Sequence, residues 1–271
     1  MNELTITGGT IAYETIVGRA GMPHLVFLHE GLGCITMWGD FPERLCAATG
    51  CPGLVFDRLG YGGASAVPLP WGGDYLHRAA LRDLPEILAR LVPAGARFVF
   101  VGHSDGGSIA LIAGAQRPEG LCGIVSIAAH VFVEDVTLAG IREARAAYEA
   151  GKLAGLRRHH GAKTDDVFRG WSQTWLDPGF AAWNIEALLA SIDAPLLAVQ
   201  GEDDRYGTPR QVETIVSRVQ GPARAVILPA CGHVPHRECP ERLIPIVSAF
   251  VHECADAAGA SDTVAAYAQR R

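Results

Sequence analysis

A chain of 271 residues that is 49% hydrophobic and 19% charged has material for a sizeable core and is not disordered in composition. Its formal net charge of −6, with no run of Lys or Arg, excludes a basic footprint for nucleic acid or an anionic membrane and leaves a small organic molecule as the natural partner. Seven scattered cysteines read as reduced thiols; with neither a leader-like N-terminus nor a run of roughly 18 apolar residues, a cytoplasmic protein is expected.

Residues 2–17 alternate loosely around Gly8-Gly9 and predict a hairpin at a sheet edge. His24–His29 is a denser apolar run, a buried parallel strand ending in the loop Glu30-Gly31-Leu32-Gly33. A helix over 36–49 and a strand over Gly53–Phe56 follow, leading into Asp57-Arg58-Leu59-Gly60-Tyr61-Gly62 and a Pro/Gly-rich loop to residue 73. Apolar residues recur at helical spacing from Asp74 to Leu91, with Pro85 expected to kink or split that helix. Phe98–Val101 is a strand running into Gly102-His103-Ser104-Asp105-Gly106 and an apolar helix, Ile109–Ala115. Leu121–Ala129, Pro195–Gln200 and Ala225–Leu228 are the remaining strands. Between them, residues 130–193 offer helical stretches at Ile141–Ala150 and Trp183–Ile192, too long for a simple crossover and read as a small helical cap. The tail from Ala255 to Arg271 reads as a frayed helix or a disordered segment. The alternation predicts an α/β fold, a mostly parallel sheet with helices on both faces. Its core is expected to span 1–129 and 194–255, with the cap at 130–193 and a tail at 256–271.

Ser104 stands at the apex of the strand–turn–helix. Gly102 and Gly106 keep Cβ atoms out of the place where strand and helix nearly touch, and the Asp105 N–H at the helix start suits a developing oxyanion. A free hydroxyl is a weak nucleophile and needs a base, whose tautomer a third group must fix. The loops Gln200–Pro209 and Pro229–His236 supply Asp204 and His233. Loops at the carboxyl ends of parallel strands open onto one crevice.

From about residue 20 to residue 252 the chain resembles the α/β-hydrolase family. Gly102-x-Ser104-x-Gly106 matches its nucleophile elbow, Gly201-x-x-Asp204 before Pro209 its acid loop, and Gly232-His233 its histidine loop. Asp57-Arg58-Leu59-Gly60-Tyr61-Gly62 resembles its Asp-x-x-Gly-x-Gly turn. The resemblance implies a Ser104–His233–Asp204 triad, one oxyanion donor at Asp105 and a second at Gly31 or Leu32, with no cofactor and no metal. The chain departs from the family where Glu30 stands in place of the usual Gly after His29.

Asp203, Glu134 and Asp135 are alternative sources of the acid. Cys231, His233, His236 and Cys239 match no common zinc spacing. His159-His160 and Arg157-Arg158 read as solvated surface, and Asp105 as a first-turn residue favoured by the helix dipole. Trp38, His130, Trp171 and Trp175 are candidate pocket walls, each with a core reading beside it. The expected enzyme is a serine hydrolase of a small, largely apolar ester, thioester or lactone; the alternative is a carbon–carbon hydrolase of a vinylogous diketone. A ligand-sensing module that has kept the pocket is the non-enzymatic reading.

Overall fold

The computed structural model describes the backbone of residues 1–268 and the side chains of residues 1–257. Its strands are β1 (Asn2–Ile6), β2 (Gly9–Ile16), β3 (His24–Leu28), β4 (Gly53–Phe56), β5 (Phe98–His103), β6 (Leu121–Ile127), β7 (Leu196–Gly201) and β8 (Ala223–Leu228). They form one sheet in the order β1-β2-β4-β3-β5-β6-β7-β8. The first two strands pair antiparallel, β2 pairs antiparallel with β4, and every later pairing is parallel.

Side chains alternate across each central strand, so each strand feeds two cores. Val26, Leu28, Phe98, Phe100, Leu196 and Ala198 face one. There they meet α3 (Leu84–Leu91), α4 (Asp105–Gly114) and α9 (Pro209–Arg218). Leu25, Phe27, Val99, Val101, Leu197 and Val199 face the other, closed by α1 (Phe41–Thr49) and α11 (Pro240–Ala268). Each face is sealed, which is why these strands read as unbroken apolar runs.

Several expected boundaries move. The 36–49 helix is a 3₁₀ turn over Ile35–Trp38 and then α1, parted at Gly39 with φ 62°. The Asp74–Leu91 helix starts as α2 (Tyr75–Arg78) and continues through a π-helical stretch, Ala79–Asp83, into α3. Pro85 has no N–H to give and its ring would press on the carbonyl four residues back, and the wider turn ahead of it takes up the misfit. Between β6 and β7 lie α5 (Asp135–Glu149), α6 (Arg157–His160), α7 (Thr164–Leu176) and α8 (Glu186–Leu189). The helix expected over Trp183–Ile192 is only α8. Asn184 forms a bridge with Phe132, Ile185 N–H donates to Val131 O, and Asn184 Oδ1 accepts the Glu186 N–H, so the preceding residues are held extended. The tail read as frayed or disordered continues α11 through Ala268, and its last three positions lie outside the described residues. A short helix α10 (Pro235–Glu238) precedes α11.

Candidate active site

Ser104 follows β5 with φ 51° and ψ −117°, a conformation L-residues rarely adopt. The close packing of the turn enforces it. A Cβ on Gly102 would lie 2.2 Å from Gly106 O, and one on Gly106 would lie 1.8 Å from Leu28 O. Ser104 N–H donates to Ile127 O at 2.8 Å, tying the apex to β6. Asp105 is the first residue of α4, so its N–H has no intrahelical acceptor.

The loops after β7 and β8 bring the other two expected residues to Ser104. His233 Nε2 is 2.9 Å from Ser104 Oγ, and His233 Nδ1 is 2.8 and 2.9 Å from the two Asp204 oxygens. Asp204 also accepts the Tyr206 N–H at 2.8 Å and a Gln200 Nε2–H at 3.3 Å. Burial by itself would lower the His233 pKa and raise that of Asp204. Their mutual hydrogen bond and charge outweigh it, so His233 titrates above, and Asp204 below, the ordinary value. Asp203 and Asp135 are exposed, while Glu134 holds Thr208 and Gln211, so of the candidate acids it is Asp204 that meets His233.

On the far side of Ser104 the loop after β3 is fixed from several directions. Arg58 Nη2 donates to Glu30 O at 2.9 Å and His29 O at 3.3 Å. The Asp57 carboxylate accepts the N–H groups of Ile35 and Gly63, and a Cβ on Gly62 would lie 2.1 Å from Asp57 Oδ2. Leu32 N–H donates to Glu30 Oε2 at 3.1 Å, whereas among the described residues Gly31 N–H meets no acceptor. A Cβ on Gly31 would touch the Trp171 ring and come within 3.1 Å of Asp105 Oδ2.

Of His159-His160, expected at the solvated surface, it is His160 that departs from that reading. His160 is buried, its Nε2–H donating to Leu32 O at 2.8 Å and its Nδ1 accepting Gly62 N–H at 3.0 Å. Asp105 too is more than a first-turn residue. It is 1% exposed, accepts the Tyr75 O–H at 2.6 Å, and Trp175 Nε1–H in turn donates to Tyr75 Oη at 2.7 Å.

Above Ser104 lies a cavity of about 550 Å³. Its floor includes Glu30, Ser104, Asp105 and His233, and its walls include Ile141, Ala144, Leu153 and Leu156 of the helical insertion. Leu32, His130, Trp171 and Trp175 line it. Trp38 does not: it is buried against Phe27, Phe41 and His236 and borders a separate small void, because the 3₁₀ turn carries it beneath the loop. Cys231, His236 and Cys239 do not join His233 around a common point; His236 packs on Trp38 and His103, and no three metal-ligating side chains gather among the described residues.

Residues 25–246 match the model of the alpha/beta hydrolase family. The chain belongs to that family. This alpha/beta hydrolase is 32% identical over 204 residues to a 2-succinyl-6-hydroxy-2,4-cyclohexadiene-1-carboxylate synthase of Salmonella paratyphi A (strain ATCC 9150 / SARB42), covering 68% of this chain and 71% of the relative. In fold it is similar to the enol-lactonase of Burkholderia xenovorans LB400 (TM-score 0.73, 18% identity, 93% of this chain and 100% of that one). It is similar also to the proline iminopeptidase of Mycobacterium smegmatis (TM-score 0.70, 18% identity, 95% and 99%). No helix among its described residues is long and apolar enough to cross a membrane.

Three residues that shape the hydrolase site gave little sequence signal. His103, inside the elbow, places Nε2 2.7 Å from His233 O and so fixes the histidine loop. Tyr206 O accepts from His130 Nε2 at 2.9 Å and from Thr137 Oγ1 at 2.5 Å, joining the loop after β7 to the loop after β6 and to α5. Tyr75, the partner of Asp105, lies 29 residues upstream of Ser104 on α2. For His103 the signal was its place between Gly102 and Ser104; for Tyr75 and Tyr206 no spacing links them to the motifs.

Proposed function

We propose that this alpha/beta hydrolase cleaves a small, largely apolar ester, thioester or lactone through an acyl-enzyme, without a cofactor. The observation that carries the reading is the unbroken chain Ser104 Oγ, His233 Nε2, His233 Nδ1 and Asp204 beneath a cavity with mostly apolar walls. Ser104 Oγ attacks the carbonyl carbon as His233 takes its proton, and His233 then gives that proton to the departing alcohol or thiol. Water attacks the acyl-enzyme with His233 again as base. Asp204 holds the Nδ1–H tautomer and stabilises the imidazolium. The oxyanion donors assigned here are the N–H groups of Asp105 and Gly31, since that of Leu32 is engaged by Glu30. The helical insertion serves as the cap that shapes the pocket.

The test is hydrolysis of p-nitrophenyl esters of increasing acyl length by the intact protein and by Ser104→Ala. Activity that falls by roughly 10³-fold or more in the variant supports the reading. An intact protein inert on every ester overturns it. A second reading draws on the Salmonella relative, named for making a carboxylated cyclohexadiene, and on Arg205 and Arg237, which border the cavity and suit a carboxylate. There Ser104 and His233 would act on a carbon–carbon bond, and product analysis with a vinylogous diketone separates the two.

A further inference from the structure

The peptide joining Glu30 to Gly31 carries both a carbonyl held inside the loop after β3 and the Gly31 N–H proposed as an oxyanion donor. It is a trans peptide, so the two groups point in opposite directions across one plane. Whatever grips the carbonyl therefore aims the N–H. Glu30 O accepts from Arg58 Nη2 at 2.9 Å, from His29 Nδ1 at 2.8 Å and from Gly33 N–H at 3.1 Å. The His29 proton sits on Nδ1 because Nε2 accepts the Arg58 N–H at 3.0 Å. Burial, aided by the Arg58 charge, keeps the His29 pKa well below its ordinary value, so the ring stays neutral.

Of the three donors only Arg58 is charged, and Arg58 also reaches the elbow. Its Nη2 lies 3.8 Å from Asp105 Oδ2, on the residue whose N–H is the other proposed oxyanion donor. The contact is sheltered, with the Arg58 side chain 6% and that of Asp105 1% exposed, so little water screens it. Tyr61 lies across the guanidinium, its ring centre 4.4 Å from Cζ, and keeps it in place. A charged donor on a carbonyl polarises the whole peptide and makes its N–H the stronger donor. The guanidinium also offsets the Asp105 carboxylate, whose charge one residue from Ser104 would oppose a developing oxyanion.

We propose that Arg58 is a positioning residue of the oxyanion site: Nη2 clamps the Glu30 carbonyl so that the Gly31 N–H faces the acyl oxygen, and it ties that peptide to the elbow through Asp105. The inference rests on the hydrolytic reading of Ser104. Arg58 does not border the cavity above Ser104, so it acts through these two donors and not by touching substrate.

Hydrolysis of the p-nitrophenyl ester that the intact protein turns over best, by the full chain and by Arg58→Met and Arg58→Lys, tests the role. Stoichiometric titration with a p-nitrophenyl alkylphosphonate counts competent sites, so poor folding lowers that count and leaves the rate per site untouched. Because the oxyanion exists only as the transition state forms, the loss falls on kcat per titrated site and not on KM. Arg58→Met, which keeps an apolar stem, is expected to turn over about 10²-fold more slowly per site. Arg58→Lys keeps the charge but lacks the planar fork, and about a tenfold loss is expected. A kcat per site equal to the parent's in Arg58→Met, or in Arg58→Lys where the first variant does not fold, overturns the proposal and leaves the hydrolytic reading standing. A loss carried by the count of sites or by KM alone does the same. A parent inert on every ester overturns both.

Discussion

The floor and the roof of the main cavity are built on different principles. Ser104, Asp204 and His233 follow β5, β7 and β8, which lie in the parallel part of the sheet, where backbone bonds fix their spacing. The roof comes from α5, Leu153 and Leu156, and α7, and side chains hold this insertion together: Trp175 against Phe180 and Trp183, Tyr148 stacked on Phe168, and His160 bonded down to Leu32. The floor residues stand at the ends of laddered strands, whereas the insertion is tied beside the sheet by a single bridge among the described residues, Phe132–Asn184, and the bond from Ile185 N–H to Val131 O. On the proposed function, changes to the floor should act on reactivity and changes to the roof on substrate choice.

Changes that cross this division should sort by size. Asp204→Asn strikes the floor hardest: kcat/KM is expected to fall about 10⁴-fold with the fold intact. The same variant moves the pH profile. In the parent, activity requires neutral His233 and rises as pH climbs through a pKa held above 6.5 by Asp204. With the carboxylate gone, burial dominates and the acid limb shifts to lower pH; a limb that stays put breaks the assignment. Gly106→Ala pushes a methyl into the Leu28 carbonyl and should cost about 3 kcal/mol in denaturant unfolding, a loss not shared by Gly155→Ala, whose methyl would meet only the end of the Arg158 side chain at 3.5 Å.

Roof changes should be smaller and selective. Ala144→Phe narrows the cavity, so kcat/KM for the longest acyl esters drops about tenfold or more while the shortest ester is turned over as before. Equal losses on every ester would erase the distinction between floor and roof. His160→Ala leaves Leu32 O and Gly62 N–H without their partner and should cost about 1 kcal/mol of stability, read as a lowered unfolding midpoint.

The strands and the three floor residues were legible because their constraints are local. A buried parallel strand must be apolar on both faces, and a tight strand–helix turn needs small residues at Gly102 and Gly106 where backbone meets backbone. Asp204 and His233 could be placed because each stands just beyond a strand of known direction. Trp38 was left open between core and pocket wall, and His160 misread as surface, for the opposite reason. Nothing near Trp38 in sequence shows that a 3₁₀ turn carries it under the loop, and nothing near His160 shows that Leu32 and Gly62 await it.

The α/β alternation, the tight turn at Ser104 and the order Ser104, Asp204, His233 at three strand ends could be read from the chain alone, since each follows from residues adjacent along it. Which aromatic residues line the cavity, and that His160 bonds to Leu32 and Gly62, emerge solely from the folded chain. Those outcomes depend on contacts between segments tens of residues apart, whose geometry is fixed by packing and leaves no periodic mark in the chain.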